Sequence, residues 1–332
     1  MAAVVQEYIE LGFASPQYQN VPQTPYFEAA GDFDNDGDSD LLWIDTANAI
    51  VQVWEMEEGR LVNDIVLHTG VNSTQYQVEG IGDFNNDGYY DILWSDRVNG
   101  LLIDWQMNVD GDGDAVVQNE ITLHTGVNFD LYDVVGTGDF GESSATDIAF
   151  QNTQTLDITI WEMGQVGGGN QNAVVLDEHN LGVAPGEVVA VGDYNADINK
   201  DIIFRDAAGN LTEWQFDNPP NDFTFDVISL GSASPQFQIL ASVDLDTGGQ
   251  TGFSTDDLLW VDTQSNQLIA WLMEDGTLGT VTQQSLGFVS PEWDIVATGD
   301  FDSVNQNNEF FNSDLLWRNE TTGQLQEWLF DV

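Results

Sequence analysis

Six acidic loops opening on Asp32, Asp83, Asp139, Asp193, Asp244 and Asp300, two aromatics at fixed distances behind each, and no sustained helical periodicity predict one architecture. It is an all-β chain, a six-bladed β-propeller of four-stranded blades. Successive loops start 51, 56, 54, 51 and 56 residues apart, one supersecondary unit per period. No Pro-, Gly- or Ser-rich break interrupts that period, so residues 1–332 are expected to form a single domain.

Each unit predicts four strands in a fixed order. The inner strand runs into Gly-Asp-Phe, as in Val134-Val135-Gly136-Thr137-Gly138-Asp139-Phe140, and the acidic loop follows. A short apolar strand comes next, ending on the first aromatic: Trp43, Trp94, Phe150, Phe204, Trp260 or Trp317. The third strand carries the second aromatic, Trp54, Trp105, Trp161, Trp214, Trp271 or Trp328, with Met or Phe two positions on. Turn residues such as Asn99-Gly100, Gly209-Asn210 and Thr322-Gly323 separate the two, as hairpins require. A more polar outer strand, for example Ile121-Thr122-Leu123-His124, ends the unit. The tryptophans are expected to pack one blade against the next.

The chain ends, at Glu327-Trp328-Leu329-Phe330-Asp331-Val332, after the third strand of its last unit. It opens with Ala3-Val4-Val5-Gln6-Glu7-Tyr8-Ile9-Glu10-Leu11-Gly12, which resembles the outer strand Thr280–Gly287. Residues 3–11 are therefore predicted to be the outer strand of the C-terminal blade. Pairing the two termini closes the ring and hides the strand edges that an open array would expose.

Composition narrows the function. Hydrophobic residues make up 42%, enough for a sizeable core, so the acidity is not that of a disordered tail. Five Lys and Arg against 57 Asp and Glu leave a formal net charge of −52. That balance argues against nucleic acid and against anionic membranes, both of which need clustered cations. Self-repulsion of this size destabilises a compact state, and divalent cations or a saline habitat would relieve it. There is no cysteine, so disulfide and thiolate chemistry are excluded. No apolar run reaches the roughly 18 residues of a membrane span. Met1-Ala2-Ala3-Val4-Val5-Gln6-Glu7 lacks the regions of a signal peptide, so export would need a removed leader, a longer parent chain or another route.

Three loops carry the chemistry in full. Asp32-Phe33-Asp34-Asn35-Asp36-Gly37-Asp38-Ser39-Asp40, Asp83-Phe84-Asn85-Asn86-Asp87-Gly88-Tyr89-Tyr90-Asp91 and Asp193-Tyr194-Asn195-Ala196-Asp197-Ile198-Asn199-Lys200-Asp201 place oxygens at alternate positions. Such spacing suits a hard cation that accepts six to eight oxygens. With Trp-x-Met downstream, these residues resemble the FG-GAP or VCBS-type repeat of integrin alpha-chain propellers and many secreted bacterial proteins, and the likeness spans nearly the whole chain. The resemblance implies a β-propeller with calcium in the loop between the first two strands of a blade, at three or more sites. It implies side-chain ligands at the first, third, fifth and ninth positions and a backbone carbonyl at the seventh. Those are Asp32, Asp34, Asp36 and Asp40 with the carbonyl of Asp38; Asp83, Asn85, Asp87 and Asp91 with that of Tyr89; and Asp193, Asn195, Asp197 and Asp201 with that of Asn199. Ile198 stands where the pattern has glycine, which is expected to weaken the third site.

The other loops depart from the pattern. The unit at Asp139 lacks the middle carboxylates and is expected to hold no ion. Those at Asp244 and Asp300 keep the opening pairs Asp244/Asp246 and Asp300/Asp302 and the closing Asp257 and Asp314, but insertions leave their middle ligands unassigned. Asp110-Gly111-Asp112-Gly113-Asp114 is expected to be a solvated acidic turn.

Catalysis finds little support. His68 and His124 occupy equivalent Leu-His-Thr-Gly positions, which points to a structural role, and no nucleophile motif, phosphate loop or His-based metal cluster occurs. The expected function is a non-enzymatic, calcium-binding recognition module outside the cell or at its surface, lectin-like and directed at glycans. An adhesion propeller binding a protein partner is the alternative, and a polysaccharide lyase or hydrolase a third. One hint favours sugars: aromatics stand seven residues before four of the loops, at Tyr76, Tyr132, Phe237 and Trp293. They stack on sugars or simply pack, and burial decides between the two.

Overall fold

In the computed structural model, the chain is a closed ring of six antiparallel sheets. The structure describes residues 7–13, 18–20, 30–141, 143–165, 172–216, 223–245, 255–273, 281–301 and 313–330, the first two segments as backbone only. No helix occurs among the described residues.

Blade 2 shows the pattern. Its strands Tyr76–Gly82, Asp91–Asp96, Leu101–Val109 and Ala115–Thr125 pair in sequence order from the axis outwards. Blades 3, 4 and 5 repeat it, beginning at Tyr132, Glu187 and Phe237. In blade 1 the second strand, Asp40–Asp45, pairs on its inner side with two short segments, Tyr18–Asn20 and Ala30–Gly31. Blade 6 takes three strands from the C-terminal part of the chain, and Glu7–Phe13 pairs with Gln324–Leu329 as its fourth. The predicted closing strand is thus present, running two residues further than expected, while residues 3–6 lie outside the described ones.

Side-chain chemistry fixes the registers. At the end of each second strand an Asp or Asn folds the hairpin into the third by accepting backbone N–H groups from the turn. Asp45 takes those of Ala47 and Asn48, Asp96 those of Val98 and Asn99, and Asn319 those of Thr321 and Thr322. The two aromatics of each blade then meet ring to ring at 4.6–5.1 Å, from Phe150–Trp161 to Trp43–Trp54.

Six separate hydrophobic clusters fill the six blade interfaces. In each, the aromatic face of one blade covers the aliphatic face of the blade before it. Trp94, Trp105 and Met107 lie on Leu42, Val51 and Val53. At the ring's seam Trp43, Met56 and half-buried Trp54 lie on Leu316 and Leu325. The tryptophans pack between blades, as the sequence predicts.

The acidic loop is also a lock. Its first carbonyl accepts a backbone N–H from the next blade, donated by the residue before that blade's closing aspartate. The series runs Tyr90 to Asp32, Thr146 to Asp83, Lys200 to Asp139, Asp256 to Asp193, Ser313 to Asp244 and Ser39 to Asp300, at 2.6–3.2 Å. The second loop residue, Phe33, Phe84, Phe140, Tyr194, Leu245 or Phe301, is buried in the interface with the next blade. In five blades the residue before the loop is glycine, and in blade 5 it is Val243. A β-carbon on Gly31 would lie 2.7 Å from the Tyr90 ring.

The closing aspartate ties the loop to its own blade. One oxygen accepts the N–H of the third-strand Met or Phe in all six blades, from Met56 on Asp40 to Phe330 on Asp314, at 2.8–3.3 Å. In five blades the other oxygen accepts the N–H of the second loop residue, as Asp147 does from Phe140. Asp147 performs both tasks in the blade whose loop lacks the middle carboxylates, so this role is independent of a metal. Asp147→Ala would orphan two buried donors at about 1–3 kcal/mol each. Urea denaturation is expected to show a loss of about 2–5 kcal/mol, unchanged by a calcium chelator.

Candidate functional site

The three complete loops fold alike because their own carboxylates organise them. In the first, Asp32 accepts the N–H groups of Asp36 and Gly37, Asp34 that of Asp36, and Asp36 that of Asp38. The second repeats this with Asp83, Asn85 and Asp87, and the third with Asp193, Asn195 and Asp197. Two residues per loop take left-handed backbone: Asn35 and Gly37, Asn86 and Gly88, Ala196 and Ile198. One oxygen of the Asp38 side chain accepts the N–H of Glu58, and the other, Oδ1, is buried without a hydrogen-bond partner.

These residues fit a hard cation. Asp32, Asp34 and Asp40 each offer a carboxylate oxygen, all within 4.8 Å of one another. Oxygens on opposite sides of a cation with roughly 2.4 Å bonds are about that far apart. The groups that act on these carboxylates are backbone N–H donors and other carboxylates. Burial, with Asp36, Glu55 and Asp32 nearby, pushes the Asp34 carboxyl up to about 7. Burial, with Asp34 and Asp36 nearby, pushes Asp40 up to about 8. Burial likewise raises Asp83, Asp91, Asp193 and Asp201.

The remaining loops differ. Asp139 accepts the N–H of Gly141, and Asp147 is the other acidic residue the described part of that loop brings near. Asp244, Asp257, Asp300 and Asp314 hold the lock described above, whereas Asp246 and Asp302 lie outside the described residues. Asp110 caps an exposed turn by accepting the N–H groups of Asp112 and Asp114, as expected of a solvated acidic turn.

A second feature lies between blades 1 and 2. His68 and Val71 from the first meet Tyr76, Trp94, Ile103, Trp105 and Glu120 of the second around a cavity of about 250 Å³. The His68 and Trp105 ring centroids are 5.5 Å apart, and Trp105 Nε1 donates to Glu120 Oε2 at 3.2 Å. The arrangement recurs one blade on, where His124 and Trp161 lie 5.1 Å apart beside Glu178, the cross-strand partner of Trp161.

The four aromatics singled out in the sequence part company here. Tyr76 lines the cavity but, like Phe237 and Trp293, is half-buried against an interface core, while Tyr132 is 37% exposed. His68 is exposed on the cavity wall. Glu120 was missed altogether; its one signal is its position across from Trp105 in the outer strand.

Ile198 has φ +86°, where Gly37 and Gly88 have +104° and +96°. Left-handed backbone costs a side-chain-bearing residue about 1–2 kcal/mol, and Ile198 is 56% exposed, so little burial offsets it. Ile198→Gly is expected to stabilise the protein by about 1 kcal/mol in thermal or urea denaturation.

A family model described as FG-GAP-like repeat matches residues 32–94. No curated protein matches the chain in sequence. Among solved structures, an Agrocybe aegerita lectin that recognises non-reducing terminal N-acetylglucosamine is similar at 13% identity and TM-score 0.51, over 91% of this chain and 79% of that one. BBS1N in complex with ARL6DN aligns at 10% identity and TM-score 0.49, over 98% of each chain. At such identities the likeness is one of fold. Residues 32–94 carry an FG-GAP-like repeat, set in a β-propeller of six blades.

Proposed function

We propose that this protein is a non-enzymatic, calcium-stabilised recognition module outside the cell, and that it binds a glycan in the cleft between blades 1 and 2. The observation that carries the reading is the composition of that cleft. Half-buried Tyr76 offers aromatic surface to the apolar face of a sugar ring above the buried Trp94 and Trp105, while the exposed His68 and Glu120 offer polar atoms to its hydroxyls. A concave wall that joins apolar surface to a few convergent polar groups suits a small polar molecule with one apolar face. The lectin of like fold lends the glycan reading support by analogy only.

Calcium in this reading is structural. Its ligands would be the loop oxygens of Asp32, Asp34, Asp36 and Asp40 with the Asp38 carbonyl, and their counterparts in blades 2 and 4. Bound there, the ion neutralises carboxylates that burial otherwise holds protonated or repelling. The loops stand at one end of the inner strands and Tyr76 at the other, so the ion stabilises the blades and does not enter the cleft.

Two measurements test these statements. On a glycan array, the protein is expected to bind a subset of sugars, and His68→Ala and Glu120→Gln to abolish or weaken that binding at unchanged melting temperature. No sugar binding, or binding indifferent to both variants, overturns the glycan reading and favours a protein partner. For calcium, the sign follows from Asp34 at about 7 and Asp40 at about 8, against 3.8 for an ordinary aspartate. The calcium-free folded form holds protons that the unfolded chain has released. Their stabilising contribution is full below about pH 4 and is lost as pH rises through 7 to 8. Calcium binding displaces those protons and stabilises by mass action. The gap in melting temperature between calcium and chelator is therefore expected to widen from pH 5 to pH 8. An equal gap, or none, counts against structural calcium.

A further inference from the structure

We propose that Asp104 in blade 2 and Glu213 in blade 4, both outside the loops, complete the cation sites of their blades from the third strand. The proposal rests on the calcium reading above and goes beyond its loop ligands.

Placement comes first. Asp104 lies opposite Leu93 and Glu213 opposite Ile203 in their hairpins. Asp91 and Asp201, the closing residues of the loops, stand two positions before those partners and so share the same sheet face. Each third-strand carboxylate is one diagonal step from its closing aspartate, within reach of a long or charged side chain.

The state of these side chains is the second observation. Asp104 is wholly buried, and neither of its oxygens has a hydrogen-bond partner. Oδ2 of the neighbouring Asp91 is buried and without one as well. Glu213 is 2% exposed, with Oε1 unpartnered. The carboxylates whose charge bears on Asp104 are Asp87 and Asp83, and Asp104 is the strongest charge acting on Asp91. Glu213 is the strongest acting on Asp201. Buried carboxylates facing other carboxylates with no donor are costly unless a cation lies between them.

The sequence supplies an independent third observation. In blade 1 the third loop position is Asp34 and the third-strand position is Val53. In blades 2 and 4 the loop has an amide, Asn85 or Asn195, and the third strand has the acid. In these two complete loops the strand provides the carboxylate that the third loop position gives up. Each complete site is thus ringed by four: Asp32, Asp34, Asp36 and Asp40; or Asp83, Asp87, Asp91 and Asp104; or Asp193, Asp197, Asp201 and Glu213. In blade 3, whose loop lacks the middle ligands, the strand position is Ile160.

Calcium titration calorimetry at fixed ionic strength tests this on the intact protein, Asp104→Val, Asp104→Asn and the double variant Asn85→Asp/Asp104→Val, which copies blade 1 into blade 2. Both single variants are expected to weaken one site about tenfold or more, and the double variant to restore it. The calcium-induced rise in melting temperature should fall and recover in parallel. Unchanged affinities in both single variants overturn the proposal and leave Asp91 and Asp104 as an acid pair sharing a proton. A double variant as weak as Asp104→Val overturns it too. Absence of calcium binding in the wild-type protein would overturn the calcium reading itself, so the two failures are told apart.

Discussion

Everything in this ring depends on the aspartate that closes each acidic loop. It binds its own third strand through one oxygen and, in five blades, the start of its own loop through the other. The loop so held presents its first carbonyl to the next blade and buries its second side chain in the interface there. One residue type therefore couples strand order within a blade to contact between blades. Acceptor-only carboxylates suit this task, because a loop between two strands leaves N–H groups that nothing else can reach. It also explains why the closing aspartate persists at Asp147, Asp257 and Asp314 although the middle of those loops has changed.

The same device creates an electrostatic problem. The closing aspartates are buried, as are Asp104, Glu213 and Glu327, in a chain with five basic residues. Several of those few cations are committed elsewhere. Arg205 donates to the carbonyls of Ala233, Ser234 and Phe237 across the blade 4–5 junction, and Arg97 pairs with Glu79. Lys200 bonds Asp256 of the following blade. Backbone N–H groups relieve the rest only in part, which is why burial raises so many carboxyls. Carboxylate is most concentrated where the loops keep the full spacing, which is where a bound cation, as proposed above, would relieve it.

The ring and its register were legible in the sequence because both follow from local, repeated features. Loop spacing gave the blade count, paired aromatics gave the second and third strands, and the polar opening segment gave the closing strand. What lay hidden depends on juxtaposition across the chain. The closing aspartate has a metal-ligand spacing, so a ligand role masked its hydrogen bonds to Met56 and its equivalents, sixteen residues on in most blades. Asp104 and Glu213 look like ordinary strand polars until the pairing with Leu93 and Ile203 puts them beneath the loops. The cleft combines His68 of one blade with Trp105 and Glu120 of the next, residues that no local pattern joins.

That cleft follows from the packing scheme. Each interface presents the second tryptophan of one blade towards the outer strand of the blade before it, and what stands there decides whether the niche is open. In blades 1 and 2 the outer strand ends in Leu-His-Thr-Gly, and the imidazole lies against the tryptophan of the next blade, at 5.5 and 5.1 Å between centroids. In blade 4 the protein closes the niche itself. Phe225 of its own outer strand stacks on Trp214 at 4.2 Å and 15°. The tryptophan that holds two blades together is thus flanked at its outer edge either by the preceding blade's histidine or by an aromatic of its own outer strand. The histidine repeat marks the interfaces where the flanking group crosses from one blade to the next, so the rim adds to the cohesion that the buried core provides.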